Sequence, residues 1–145
     1  MQEISFGRYT SVLYRYIQII INHRLKSYGF GSGQYLFFIA ISKNPGINQK
    51  ELSANMNIDK ATTAKALSKL ESLGYILRKK DEKDRRYYKI YLSEKGADFI
   101  SVLREILSDI TTTLSKGMTE DDMQKSKALF EKMIENAVNE VDNLR

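Results

Sequence analysis

Between Asn48 and Leu92 the chain sets two short helical patterns across a two-residue turn, then two strand-length segments around an unbroken run of charge. Few folds accommodate that order. Asn48 is a good N-cap with Glu51 three residues on, as in a capping box. A helix is therefore expected over Gln49–Met56, with Leu52 and Met56 facing inward. Asn57-Ile58 makes the turn, Asp59 caps a second helix over Lys60–Leu73, and Gly74 stops it. On this second helix Thr63, Ala66, Leu67, Leu70 and Leu73 form one stripe. The opposite face carries Ala61, Thr62, Lys65, Ser68, Lys69 and Ser72, with no acid before Glu71 near the end. Small residues let a helix approach a surface closely, while Lys and Thr reach phosphates and base edges. Those are the requirements of a helix seated in a major groove. Paired short helices with ordinary solvated faces imitate the same spacing, so the segment C-terminal to the pair has to decide.

Tyr75–Lys80 reads as a strand and Tyr87–Leu92 as its return, with Tyr88, Ile90 and Leu92 on one face and Tyr87, Lys89 and Tyr91 on the other. Between them Arg78 to Arg86 are nine consecutive charged residues. Taken alone, such a run is a solvated hairpin tip. Directly after a helix-turn-helix the two strands make a wing, and an Arg-rich tip is placed to enter a minor groove beside the second helix. The charge balance agrees. Lys50 to Lys95 hold 12 Lys and Arg against 7 Asp and Glu, whereas the rest of the chain holds 11 of each sign. The whole excess of +5 sits in one central third, which points to a polyanionic partner.

The flanks are helical. Apolar residues recur from Phe6 to Tyr28 in a stripe wider than one face, and Gly29, Gly31 and Gly33 punctuate the chain before a second apolar helix over Gln34–Lys43, stopped by Pro45-Gly46. Ser93 caps a long helix whose Ile100, Leu103, Leu107, Ile110 and Leu114 alternate by three and four, and Lys116-Gly117 ends it. Thr119 with Asp122 opens the last helix, whose stripe runs Met123, Phe130, Ile134, Ala137, Val141, Leu144. The first helix and these two expose more apolar surface than one small winged helix covers. Homodimerisation through the chain ends is the simplest remedy; a closed monomeric helical domain is the alternative. The expected class is mainly α with a small β-hairpin wing: a winged helix-turn-helix flanked by N- and C-terminal dimerisation helices.

Several functions are set aside by what the chain lacks. It has no cysteine, which removes disulfides, thiolate zinc sites and thiol chemistry. His23 is the single histidine and cannot supply a cluster of imidazoles, so no metal is expected, and His23 is assigned a hydrogen bond near the dimer interface. There is no Ser-His-Asp ordering and no phosphate-cradling loop after a strand, so neither catalysis nor a cofactor is expected. The longest apolar stretch, Tyr35–Ile41, is far short of the roughly 20 residues that span a bilayer, and no secretory signal is visible. The expected compartment is the cytoplasm, with no membrane partner.

Pro45-Gly46 before the helix pair, Leu70-x-x-Leu73-Gly74 ending its second helix, Asp84-Arg85-Arg86 in the wing and Leu92-Ser93-Glu94-Lys95-Gly96 opening the next helix occur in an order that resembles the MarR family of transcription regulators. The resemblance covers nearly the whole chain as one domain: residues 30–96 as the winged core, residues 1–29 and 97–145 as dimerisation helices. It implies a homodimer reading a pseudo-palindrome in double-stranded DNA, with recognition helices in successive major grooves. Carried over, Ala61, Thr62 and Lys65 would meet base edges, and Lys60 and Lys69 phosphates, with Ser68 on the same face. Asp84 would hold the wing by pairing with an arginine, Arg86 would enter the minor groove, and Arg85 would take the variable middle place. Thr63 and Ala64 are smaller than the family often has, so no operator sequence follows. Repression, relieved by an anionic aromatic ligand, is implied by the same analogy. Arg15, His23, Ser32 and Tyr35 are the candidate pocket for such a phenolate or carboxylate. The rival reading is a winged helix used for protein contact without specific DNA binding.

Overall fold

The computed structural model describes residues 3–145. Among them, six α-helices and one hairpin run in the order α1 (Phe6–Leu25), α2 (Tyr35–Lys43), α3 (Gln49–Met56), α4 (Lys60–Ser72), β1 (Ile76–Lys80), β2 (Tyr88–Leu92), α5 (Glu94–Leu114) and α6 (Glu120–Leu144). The chain divides into two compact units, Met1–Leu107 and Ser108–Arg145. Among the described residues no helix is long and apolar enough to cross a membrane, and no group of three or more His, Asp or Glu could hold a metal ion.

Local chemistry sets the boundaries. The Asn48 side chain accepts from the backbone N–H of Glu51 while the Glu51 carboxylate accepts from the N–H of Asn48, so α3 begins with both orphan donors satisfied. Asn57 ends it in the left-handed region at φ 51, which Asn tolerates better than most residues. The first helix is shorter than its apolar periodicity implies. It closes at Leu25, and Lys26–Tyr28 tighten into a 3-10 turn.

In the first unit the hairpin pairs antiparallel from Ile76↔Leu92 to Lys80↔Tyr88. Ile47 adds an isolated bridge to Ile90, its carbonyl accepting from the Ile90 N–H at 2.9 Å. The core beneath is Ile21, Leu25, Phe38, Ile41, Leu52, Leu67, Leu70, Ile90 and Leu103, all fully buried. Phe30, Phe38, Tyr75 and Phe99 contact one another with centroids 5.0–6.1 Å apart, joining the α1–α2 loop, α2, the residue before β1, and α5. Such pairs add about 0.5–1.5 kcal/mol each beyond their buried area.

One junction ties the end of α4 to the start of α5. Lys95 Nζ donates to the Leu73 carbonyl at 2.7 Å, the Ser93 hydroxyl donates to the Gly74 carbonyl, and the Ser93 N–H donates to the Tyr75 carbonyl at 2.9 Å. Ser93 Oγ also accepts from the Gly96 N–H at 3.1 Å, capping α5. Lys95 lies over the Tyr75 ring, 4.5 Å from its centroid.

The flanking helices leave much of their apolar surface uncovered in a single chain. On α1, Phe6, Tyr9, Tyr16 and Ile19 are exposed. In the second unit, α6 starts with a Thr119–Asp122 capping box and three acids in its first turn, suited to the positive end of the helix dipole. Its Leu129, Phe130, Ile134 and Val138 are exposed.

Candidate nucleic-acid interface

Helix α4 is built from its cap outward. Asp59 Oδ1 accepts from the backbone N–H of Thr62 at 2.8 Å, and Oδ2 accepts from the Thr62 hydroxyl at 2.7 Å. These bonds, the backbone one foremost, hold the Asp59 carboxyl below its ordinary range. They also orient Thr62. Its only hydroxyl proton is committed to Asp59, so the hydroxyl can offer any further partner only acceptor lone pairs.

The inward side of α4 is buried through Thr63, Ala66, Leu67 and Leu70. Thr63 is polar yet fully buried, and a hydrogen-bond chain satisfies it. Ser53 Oγ donates to Thr63 Oγ1 at 2.9 Å, which donates to the Asp59 carbonyl at 2.9 Å. That chain pins α3 against α4 and fixes which face of α4 points out. Lys60, Ala61, Thr62, Lys65, Ser68 and Lys69 all lie on the exposed side. Glu71, the one acid of the helix, has its Oε2 2.8 Å from Arg78 Nε on β1. The pair neutralises the acid and braces the wing against the end of α4.

The wing tip is ordered by its own acids. Asp81 Oδ1 accepts from the Lys83 N–H at 2.9 Å, and the Asp81 N–H donates to the Tyr87 carbonyl at 3.0 Å, closing the loop. Asp84 pairs with an arginine, and that arginine is Arg86, the residue assigned to the minor groove. Arg86 donates from Nε to Oδ1 at 2.9 Å and from Nη2 to Oδ2 at 2.8 Å, a bidentate fork. The fork drives the Asp84 carboxyl down to about 2, and the carboxylate raises the guanidinium above its ordinary range. The Arg86 side chain is still 80% exposed, so the pairing aims it without burying it. Arg85 is exposed beside it.

Between helix pair and wing lies a concave site of about 410 Å³ lined by Gln49, Lys50, Lys60, Arg78, Arg86, Tyr87, Tyr88 and Ile90. Four cations and no carboxylate line it. Lys50, Arg78 and Tyr88 were not singled out by the sequence for this face. Tyr88, Ile90 and Leu92, which alternation puts on one face, are covered unequally. Ile90 is buried and Leu92 partly so, but Tyr88 is 48% exposed. Only Ile90 has the bridge to Ile47 behind it, whereas Tyr88 lies toward the tip, where it lines the cationic hollow.

None of the four candidate pocket residues lines the wing-side hollow. Arg15 is exposed and donates to Ser11 Oγ at 3.1 Å; His23 is exposed. The Ser32 N–H donates to Asn22 Oδ1 at 2.8 Å. Tyr35 is partly buried, and that burial, with Tyr14 nearby, raises its pKa.

Comparison with known proteins agrees with this geometry. The MarR family pattern matches residues 32–88. An uncharacterised HTH-type transcriptional regulator of Bacillus subtilis, YybA, is 30% identical over 89% of this chain and 86% of its own. A MarR transcriptional regulator of Methanosarcina mazei superposes with TM-score 0.88 at 39% identity, covering 92% of this chain and 96% of that one. A MarR-family regulator of Listeria monocytogenes, solved in complex with a 26mer DNA, superposes with TM-score 0.85 at 25% identity over 97% and 92% of the two chains. On the family match, the relative 30% identical over most of both chains and the solved MarR regulator 39% identical over 92% of this one, the chain belongs to the MarR family of HTH-type transcriptional regulators.

Proposed function

We propose that the protein is a homodimeric repressor that reads a pseudo-palindromic operator through α4 and the wing, and that a small anionic aromatic ligand releases it. One observation carries the reading: an exposed bidentate-held Arg86 stands beside a helix face whose single acid is already paired. A fixed, always-charged guanidinium suits the negative potential of a narrow minor groove. The Listeria relative bound to a 26mer duplex supports carrying DNA over to this chain.

Ala61, Thr62 and Lys65 meet base edges. Thr62 acts there through its acceptor lone pairs and its methyl group, because its proton is held by Asp59. Lys60, Ser68, Lys69 and Arg85 serve the backbone. The uncovered apolar faces of α1 and α6 support dimerisation. Arg15, His23, Ser32 and Tyr35 remain the effector residues, with Tyr35 partly buried and Arg15 exposed to meet a carboxylate.

Footprinting on the DNA around the protein's own gene, then titration of the recovered duplex, tests the proposal. Arg86→Ala should cost more than tenfold in affinity and lower the salt slope. Thr62→Ala or Lys65→Ala should change preference among sequences, and Lys69→Ala should weaken all alike. Sequence-independent weak binding, untouched by Arg86→Ala, would leave the wing to a protein partner instead. Salicylate releasing the duplex, and failing to do so with Arg15→Ala, tests the effector.

A further inference from the structure

A second basic hollow lies across α4 from the wing. Asn22, Lys26, Gly29, Phe30, Gly31, Gln34 and Lys69 line a shallow depression of about 310 Å³, with two lysines and no acid. Lys60, which lines the wing-side hollow, and Lys69, which lines this one, are nine residues apart. At about 3.6 residues per turn that is about two and a half turns, so they leave opposite edges of the helix.

A helix about 10–12 Å across fills a major groove about 12 Å wide, and phosphates of the two strands flank it on either side. The wing edge meets one strand. The edge bearing Lys69 meets the other, and there Lys26 from the turn after α1 stands beside it.

The hollow is held in shape. Asn22 Oδ1 accepts from the Ser32 N–H at 2.8 Å, and Gln34 Oε1 accepts from the Gly31 N–H at 3.0 Å. A side chain at position 31 would collide with the Asn22 amide, so glycine there keeps the loop against α1. Among the described residues neither Lys26 nor Lys69 is ion-paired. We infer that Lys26 and Lys69 form a second phosphate clamp, contacting the DNA strand opposite the one beside the wing. The clamp rests on the operator reading and adds Lys26 to it.

The test uses two fluorescent 30-base-pair duplexes: one of random sequence, and one recovered by selection with the unaltered protein. Affinities are measured from 50 to 200 mM salt for Lys26→Ala, Lys26→Glu, Lys26→Arg and Arg86→Ala. Thermal midpoints check the fold. Loss of one phosphate contact in each protomer, two in the dimer, lowers the log–log salt slope by about 1.8. The deficit of Lys26→Ala should therefore shrink by about 12-fold across that range, on both duplexes, with sequence ranking unchanged. Lys26→Glu should lose more and Lys26→Arg little.

A lysine serving only the negative end of α1 would lower the thermal midpoint and leave the slope alone, which overturns the clamp. Unchanged affinity in all Lys26 variants beside a loss in Arg86→Ala overturns the clamp and leaves the operator reading standing. Failure of the unaltered protein to bind either duplex removes both.

Discussion

Gly96→Ala is the substitution with the sharpest expected consequence. A Cβ there would press directly on the Tyr75 carbonyl oxygen, with the Tyr75 carbonyl carbon at 3.1 Å and Phe38 Cε2 at 3.3 Å. Real Cβ contacts essentially never fall under 3.0 Å, so the start of α5 and the backbone before β1 would have to part by roughly an ångström. That separation breaks the Ser93 N–H bond to the same carbonyl, now 2.9 Å, and strains the Ser93 and Lys95 bonds to Gly74 and Leu73. Overpacking costs about 1–3 kcal/mol and a lost hydrogen bond about 1 kcal/mol. The better helix propensity of Ala returns at most about 1 kcal/mol. The net expectation is about 1–3 kcal/mol of destabilisation.

Urea unfolding at one fixed protomer concentration, with the slope compared to the parent, measures it. Gly7→Ala is the control: Gly7 sits in α1 with nothing within 4 Å of its Cβ position, so only the propensity term acts. If Gly96→Ala is at least as stable as the parent, the junction is not the tight contact described and the reasoning fails.

Two further outcomes are expected. The Asp84 carboxyl, held by Arg86 at about 2, lies below the ordinary carboxylate value near 3.9, so its pairing is complete above that value and is lost only as pH falls through about 2. DNA affinity between pH 5 and 8 should not follow this group, and a carboxyl titration by NMR with a midpoint near 4 would contradict the fork. In the buried hydroxyl chain, Thr63→Val deprives Ser53 of its acceptor and should cost about 1–3 kcal/mol, whereas Ser53→Ala leaves Thr63 donating to Asp59 and should cost nearer 1; chemical denaturation that reverses this order would show the chain runs otherwise.

The helix pair and hairpin were legible because punctuation sits beside periodicity there: Asn48, Asp59 and Gly74 mark ends that the apolar spacing alone leaves vague. The exposed face of α4 was legible for the same reason. What escaped were contacts between residues distant in sequence. Thr63 counts as one more member of an apolar stripe until Ser53 is found ten residues away facing it. Lys95 looks like an ordinary surface lysine, yet it closes the end of a helix 22 residues earlier. Tyr88 shares period two with Ile90, but alternation gives only a face; it does not say how far the body extends beneath a two-stranded ribbon. The line Arg15, His23, Ser32, Tyr35 rested on family resemblance and residue type, and neither supplies a position in space.

The junction at residues 73–75 has a mechanical consequence. Three consecutive carbonyls of one turn are fastened by Ser93 and Lys95 at the root of α5, so this end of the reading head is a weld without a pivot. On the proposed operator, where two half-sites are gripped at once, inserting one base pair between them rotates the second by about 35°. A welded head cannot absorb that twist at its root; it falls to the rest of the chain or to the DNA, and tolerance of spacing becomes a property of parts that never touch a base.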